Sequence, residues 1–168
     1  MQQCRPFFIT LYITFGHSAT TFKCCSLLEI MHFKITVCHP DQKEIEEFPK
    51  LLNAEEALTF FKRFPWQEKL NLLESMDHED IHYQPSVRFT NNSGRSLEMT
   101  ADSDLKPYGF SLWYESPVMV KVFFGLMGEK EKNQVIDKWN FNPATAQKHL
   151  ETFLDGKYEE VEKIMQAK

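Results

Sequence analysis

From His32 to Val37 apolar and polar residues alternate, with Phe33, Ile35 and Val37 on one side and His32, Lys34 and Thr36 on the other. That is the period of a half-buried strand. Pro40 ends it, and the acidic stretch Asp41 to Pro49, with few apolar anchors, reads as a loop or a short exposed turn of helix. The period then changes. Asn53 with Glu56 three residues on has the form of a capping box, and Ala57, Leu58, Phe61 and Phe64 follow at helical spacing. Pro65 must break or redirect this helix, yet proline also suits the first turn of a new one. Trp66, Leu70, Leu73 and Met76 recur at three or four residues, which predicts a second helix from about 65 to 76.

Alternation returns at Val87 and Phe89, and again at Leu97 and Met99, on either side of Asn91-Asn92-Ser93-Gly94, whose residues tolerate positive φ. This is the signature of a hairpin. Phe110 to Glu115 forms the next predicted strand, and Pro117 separates it from Val118 to Phe124, whose β-branched density favours strand. Gly125 to Lys132 reads as a turn. Gln134 to Phe141 fits a returning strand, although Val135, Ile136 and Trp139 also fit one helical face. Asn142-Pro143 starts a helix bearing Ala146, Leu150, Phe153 and Leu154, Gly156 closes it, and Tyr158, Val161, Ile164 and Met165 mark a last helix. Strand runs joined by short turns, with helices before and after, predict an α+β fold: a mainly antiparallel sheet of five or six strands with about four helices.

Every readable cap, turn or alternation lies after Met31. Residues 1–30 hold three of the four cysteines, one acid (Glu29) and two bases (Arg5, Lys23). The apolar run Pro6 to Phe15 has the length of a signal-peptide core and is too short to span a bilayer, while Gly16-His17-Ser18-Ala19 is a poor cleavage site. We therefore expect 1–30 to be a non-domain extension, either an upstream-translated stretch or a leader, and 31–168 to be a single domain. A leader would imply secretion; otherwise the lone Cys38 of the body suits a reducing, cytoplasmic setting.

Charge narrows the partners. The chain has 19 bases and 24 acids, a net of -5; setting aside the two bases and one acid of 1–30 leaves 17 against 23, a net of -6. Nucleic acid demands Lys/Arg clusters, and there is no basic run, so a nucleic-acid partner is not expected. No membrane partner is expected either, and a basic protein is the natural complement.

Candidate chemistry is sparse. His78 and His82, four apart among Asp77, Glu79 and Asp80, have a spacing that would align two imidazoles on a helix for a metal, but they lack the His-Glu-x-x-His pattern and fall just past a predicted helix end. Cys38-His39 pairs a thiol with an imidazole, yet neighbours on a strand point to opposite faces, and His149 would have to approach in space. Glycine-rich phosphate loops and the Gly-x-Ser-x-Gly elbow are missing, so no cofactor and no catalytic residue is assigned. Asn91-Asn92-Ser93 matches a glycosylation sequon but reads as turn chemistry.

The strongest pointer is aromatic. If Phe110, Leu112 and Tyr114 face the core, Trp113 and Glu115 turn outward, and by the same alternation so do Lys121 and Phe123. Left uncovered, Trp113 and Phe123 rimmed by Glu115 and Lys121 form a protein-binding patch; covered by one of the helix pairs, they join the core. The acidic stretches Asp41, Glu44, Glu46, Glu47 and Asp77, Glu79, Asp80 would steer a basic partner or merely solvate a face. Small, acidic and without cofactor motifs, the chain is similar in class and composition, not in motif, to bacterial toxin-immunity proteins. The expectation is a non-enzymatic protein-binding module of immunity-like or regulatory type. The alternative is an enzyme or small-ligand binder with a pocket between sheet and helices near His78, His82 or Glu115.

Overall fold

The computed structural model describes residues 31–121 and 129–167. The expectations for residues 1–30 and for Phe123 lie outside the described residues. Strands β1 (His32–Cys38), β2 (Glu46–Glu47) and β3 (Leu52–Asn53) precede helices α1 (Ala54–Arg63) and α2 (Trp66–Ser75). Then come β4 (Ser86–Asn91), β5 (Ser96–Asp102), β6 (Gly109–Lys121), β7 (Glu129–Phe141), α3 (Pro143–Leu154) and α4 (Tyr158–Gln166). The strands form one antiparallel sheet in the order β2-β1-β4-β5-β6-β7, with β3 also on β1. With four helices this is the α+β fold expected, five long strands carrying the sheet.

Helix starts follow local chemistry. Asn53 Oδ1 accepts from the Glu56 amide at 3.0 Å and the Glu56 carboxylate accepts from the Asn53 amide at 2.9 Å, a complete capping box. Asn142 caps α3 through the Thr145 amide at 2.9 Å, with Pro143 in the first turn. Gly156, at φ +75, ends α3 in the left-handed conformation that costs glycine least. Between β4 and β5, Asn91 Oδ1 accepts from the Ser93 amide, the Ser93 hydroxyl and the Arg95 amide, and Gly94 takes φ +77. The sequon is thus spent on hairpin closure.

All the large core side chains of the sheet lie on one face. Phe33, Ile35 and Val37 of β1, Val87 and Phe89 of β4, Leu97, Met99 and Ala101 of β5, and Phe110, Leu112 and Tyr114 of β6 are at or below 1% exposure. Helix residues Ala57, Phe61, Trp66, Leu70, Ala146, Leu150, Phe153, Leu154, Val161 and Met165 belong to the same cluster. Each Val, Leu, Ile, Phe or Met among them contributes roughly 1.5–3 kcal/mol when fully removed from water. The phenol of Tyr114 reaches the Glu162 carboxylate at 3.3 Å, and burial, with Glu162 beside it, pushes its pKa up to about 12.

Two expectations change. β6 does not stop at Pro117 but runs through it, opposite Asn133 of β7. Pairing of β5 with β6 ends at Ser96 and Glu115, so at Pro117 the strand has a single neighbour and the missing N–H need not serve a second one. β7 is strand throughout and begins at Glu129, inside the stretch expected to be a turn. Its helical periodicity is overridden by pairing with β6, and one extra β7 residue opposite Phe110 to Leu112 shifts the register, with Asn140 there at φ +67.

Candidate functional site

Among the described residues the helices leave most of the second face of the sheet open, α2 reaching one end of it, and residue size shapes it. Alternation sends Ser86, Ser96, Thr100 and Ser111 to this face, and three of them, the serines, are buried beneath longer neighbours. Ser96, Thr100 and Ser111 floor a cleft of about 670 Å³ walled by Arg88, Glu98, Trp113, Glu115, Val135 and Trp139, and closed at one end by Leu70 and Leu73 of α2 and by Asp102 to Asp104. Strand register arranges the walls in rows. Thr36, Arg88, Glu98, Trp113 and Asp137 stand opposite one another on successive strands, and so do Lys34, Thr90, Ser96, Glu115 and Val135. Directly opposed side chains start about 5 Å apart at Cβ and so interact.

Within the first row, Arg88 Nε donates to Glu98 Oε2 at 2.9 Å and Nη2 donates to the same oxygen, while Nη1 reaches across to the second row, 3.7 Å from Glu115 Oε2. Burial works against the Arg88 charge, but the Glu98 carboxylate and then Glu115 outweigh it and hold the guanidinium pKa above its ordinary value. The Ser86 hydroxyl donates to Glu98 Oε1 at 2.7 Å, Asn133 donates to Glu115 Oε1, and the Ser111 hydroxyl donates to Asp102 Oδ2 at 3.2 Å. Trp113 and Trp139 meet edge to face, centroids 5.7 Å apart and planes at 64°. The Trp139 indole N–H donates to Asp137 Oδ2 at 2.7 Å, and its side of the cleft is open, Trp139 being 58% and Val135 56% exposed. Among the described lining residues Arg88 is the one base, against Glu98, Asp102, Asp104 and Glu115.

Of the residues singled out from sequence, Trp113 and Glu115 are both in this cleft. Lys121 is the last described residue of β6. The aromatic partner of Trp113 is Trp139, which sequence reasoning passed over because β7 read equally as a helix. A β7 strand register would have placed it. The cleft coincides in part with the alternative pocket between sheet and helices: Glu115 lines it and Leu70 and Leu73 of α2 close one end, while most of it opens on the face away from the core.

His78 and His82 do not share a helix face, since α2 ends at Ser75 and a turn closed by the Asp80 amide on the Asp77 carbonyl follows. Both histidines are exposed, as are Asp77, Glu79 and Asp80. Among the described residues there is no group of three or more His, Cys, Asp or Glu side chains placed to hold a metal. The two acidic loops do meet: the His82 amide donates to the Pro40 carbonyl at 2.9 Å and the Tyr83 hydroxyl to the Lys43 carbonyl at 3.2 Å. Gln84, two residues on from His82, lines the cleft. Glu47 is tied to Lys34 at 2.7 Å and Glu46 to His39 at 2.8 Å.

Cys38 lies on the open face opposite Ser86, whereas the His39 ring stacks on Phe64. Burial pushes the Cys38 thiol pKa up in spite of its hydrogen bond with Ser86, the reverse of what a nucleophile needs. Among the described residues no helix is long and apolar enough to cross a membrane. Comparison with protein-family models, with curated proteins and with solved structures returns no match.

Proposed function

We propose that this chain is a non-enzymatic module that binds a basic protein partner through the open face of its sheet, in an immunity-like or regulatory role. The observation that carries this reading is the acidic cleft walled by two tryptophans on a face that the chain's own helices leave uncovered. Aromatic anchors supply contact area at low entropic cost, and surplus carboxylates steer and select a cationic surface. The adjoining acidic loops at Asp41 to Glu47 and Asp77 to Asp80 extend the same sign of charge.

Affinity capture from the native host, with the wild type beside Trp113→Ala and Trp139→Ala, tests the proposal. The expected result is a basic protein recovered by the wild type and lost by both variants while their circular dichroism is unchanged. Recovery of the same partner by both variants would sink the proposed surface.

A second reading has one observation in its favour: a hollow of about 670 Å³ is within the size range of small-ligand pockets. A small cation that raises the melting temperature, where basic polypeptides do not, would favour it.

A further inference from the structure

Resting on the proposed basic partner, we infer that the cleft is built for one chemical group of it, the guanidinium of an arginine side chain. Three features converge on that group. Trp113 stands in its row between Glu98 on one neighbouring strand and Asp137 on the other, so an aromatic surface is flanked by carboxylates on both sides. A planar cation can lie on an indole while its N–H edge meets a carboxylate, which a compact, strongly hydrated ammonium does poorly.

The edge-to-face packing of the two indoles also matters. In that arrangement the ring that contributes its edge keeps its own faces clear of its neighbour, and Trp139 is more than half exposed. The Trp139 N–H fixes Asp137 Oδ2 at 2.7 Å, which holds a carboxylate beside that ring.

The cleft already accommodates such a group. Arg88 sets its guanidinium between Glu98 and Glu115, so the spacing of these carboxylates suits a planar, forked donor. One guanidinium leaves the lining three charges negative, with Asp102 and Asp104 uncompensated by any base in the wall. A second guanidinium, supplied by the partner, is the complement in both charge and shape.

The test uses the full chain and three probes: a tetra-arginine peptide, a tetra-lysine peptide of the same length, and free arginine amide, each titrated while tryptophan fluorescence or heat is recorded. The expected result is roughly tenfold tighter binding of the arginine peptide than of the lysine peptide. Trp139→Leu should bring the two peptides to within about twofold of each other, because it removes the ring but not the carboxylates. Asp137→Asn should weaken the arginine peptide several-fold and leave the lysine peptide less affected. Equal binding of both peptides by the wild type would overturn the guanidinium inference while leaving the basic-partner reading in place. Failure of the wild type to bind either peptide would overturn both. Arginine amide binding as tightly as the peptide would overturn the assignment of the group to a protein and point to a small-molecule ligand.

Discussion

The two faces of the sheet are made by the same strands, yet they follow opposite rules. On the covered face Phe33, Phe89, Phe110, Leu112 and Tyr114 are closed off by helices, and the one phenol among them is turned to Glu162. On the open face small hydroxyl side chains sit low, while Arg88, Glu98, Trp113, Glu115 and Trp139 stand around them. A face built for stability fills its space. This open face encloses a hollow and leaves Trp139 more than half exposed, the feature on which the proposed binding role rests.

The sharpest way to break this contrast is to remove one ring from each side. Phe89→Ala should lower the unfolding free energy by about 3–5 kcal/mol, read from the denaturant midpoint. Trp139→Ala should cost less than about 1 kcal/mol in the same measurement. Equal costs would show that the open face is a second core.

Next in size, Asn53→Ala removes the cap that starts α1 and should cost about 1 kcal/mol, with partner or peptide affinity unchanged. A change in affinity would mean that the helix side takes part in binding.

Smaller again is the ion pair of the open face. A double-mutant cycle on Arg88 and Glu98 should return a coupling of about 0.2–1 kcal/mol, and the coupling should shrink in high salt. A value several times larger and insensitive to salt would make this pair a structural element.

The smallest effect concerns pH. Burial, and then Lys138 and Lys148, hold the His149 pKa below 6.5, with its ring edge to face on Phe141. The neutral imidazole therefore favours the folded state above the unfolded pKa, and this contribution is lost as pH falls through the depressed folded value. An NMR titration should place the His149 midpoint below the ordinary imidazole value, and His149→Gln should make stability less sensitive to mild acid. A midpoint at or above 6.5 would refute the assignment.

Most of the covered face was legible in the sequence, because burial imposes periodicity and helix ends impose particular residues. Alternation marked Phe33 to Val37 and Val87 to Met99, and caps marked Asn53 and Asn142. The open face was legible only in part. Trp113 and Glu115 were reachable by counting outward from core positions along one strand. Trp139 was not, because it belongs to an edge strand whose apolar residues fit two periods, and its position depends on a register shift centred on Asn140. Arg88 and Glu98 looked like ordinary solvent-facing residues, since cross-strand pairing is a property of register and not of local sequence. The cleft itself arises from small residues on two different strands, Ser96 and Thr100 of β5 and Ser111 of β6, a pattern no single window contains.

The strand order bears on how the chain acquires this surface. From β4 to β7 each strand pairs with its neighbour in sequence, so the whole meander, with every wall residue from Arg88 to Trp139, can form by successive hairpin closures. β1 instead reaches β4 across α1 and α2, a longer loop to close before any reward is gained. The proposed binding surface thus belongs to the part of the chain with the shortest-range contacts, and β1 with its helices is expected to dock onto it late. Folding-rate measurements on Ile35→Val and Leu97→Ala would order the two events, with a φ-value near zero for the first and clearly higher for the second.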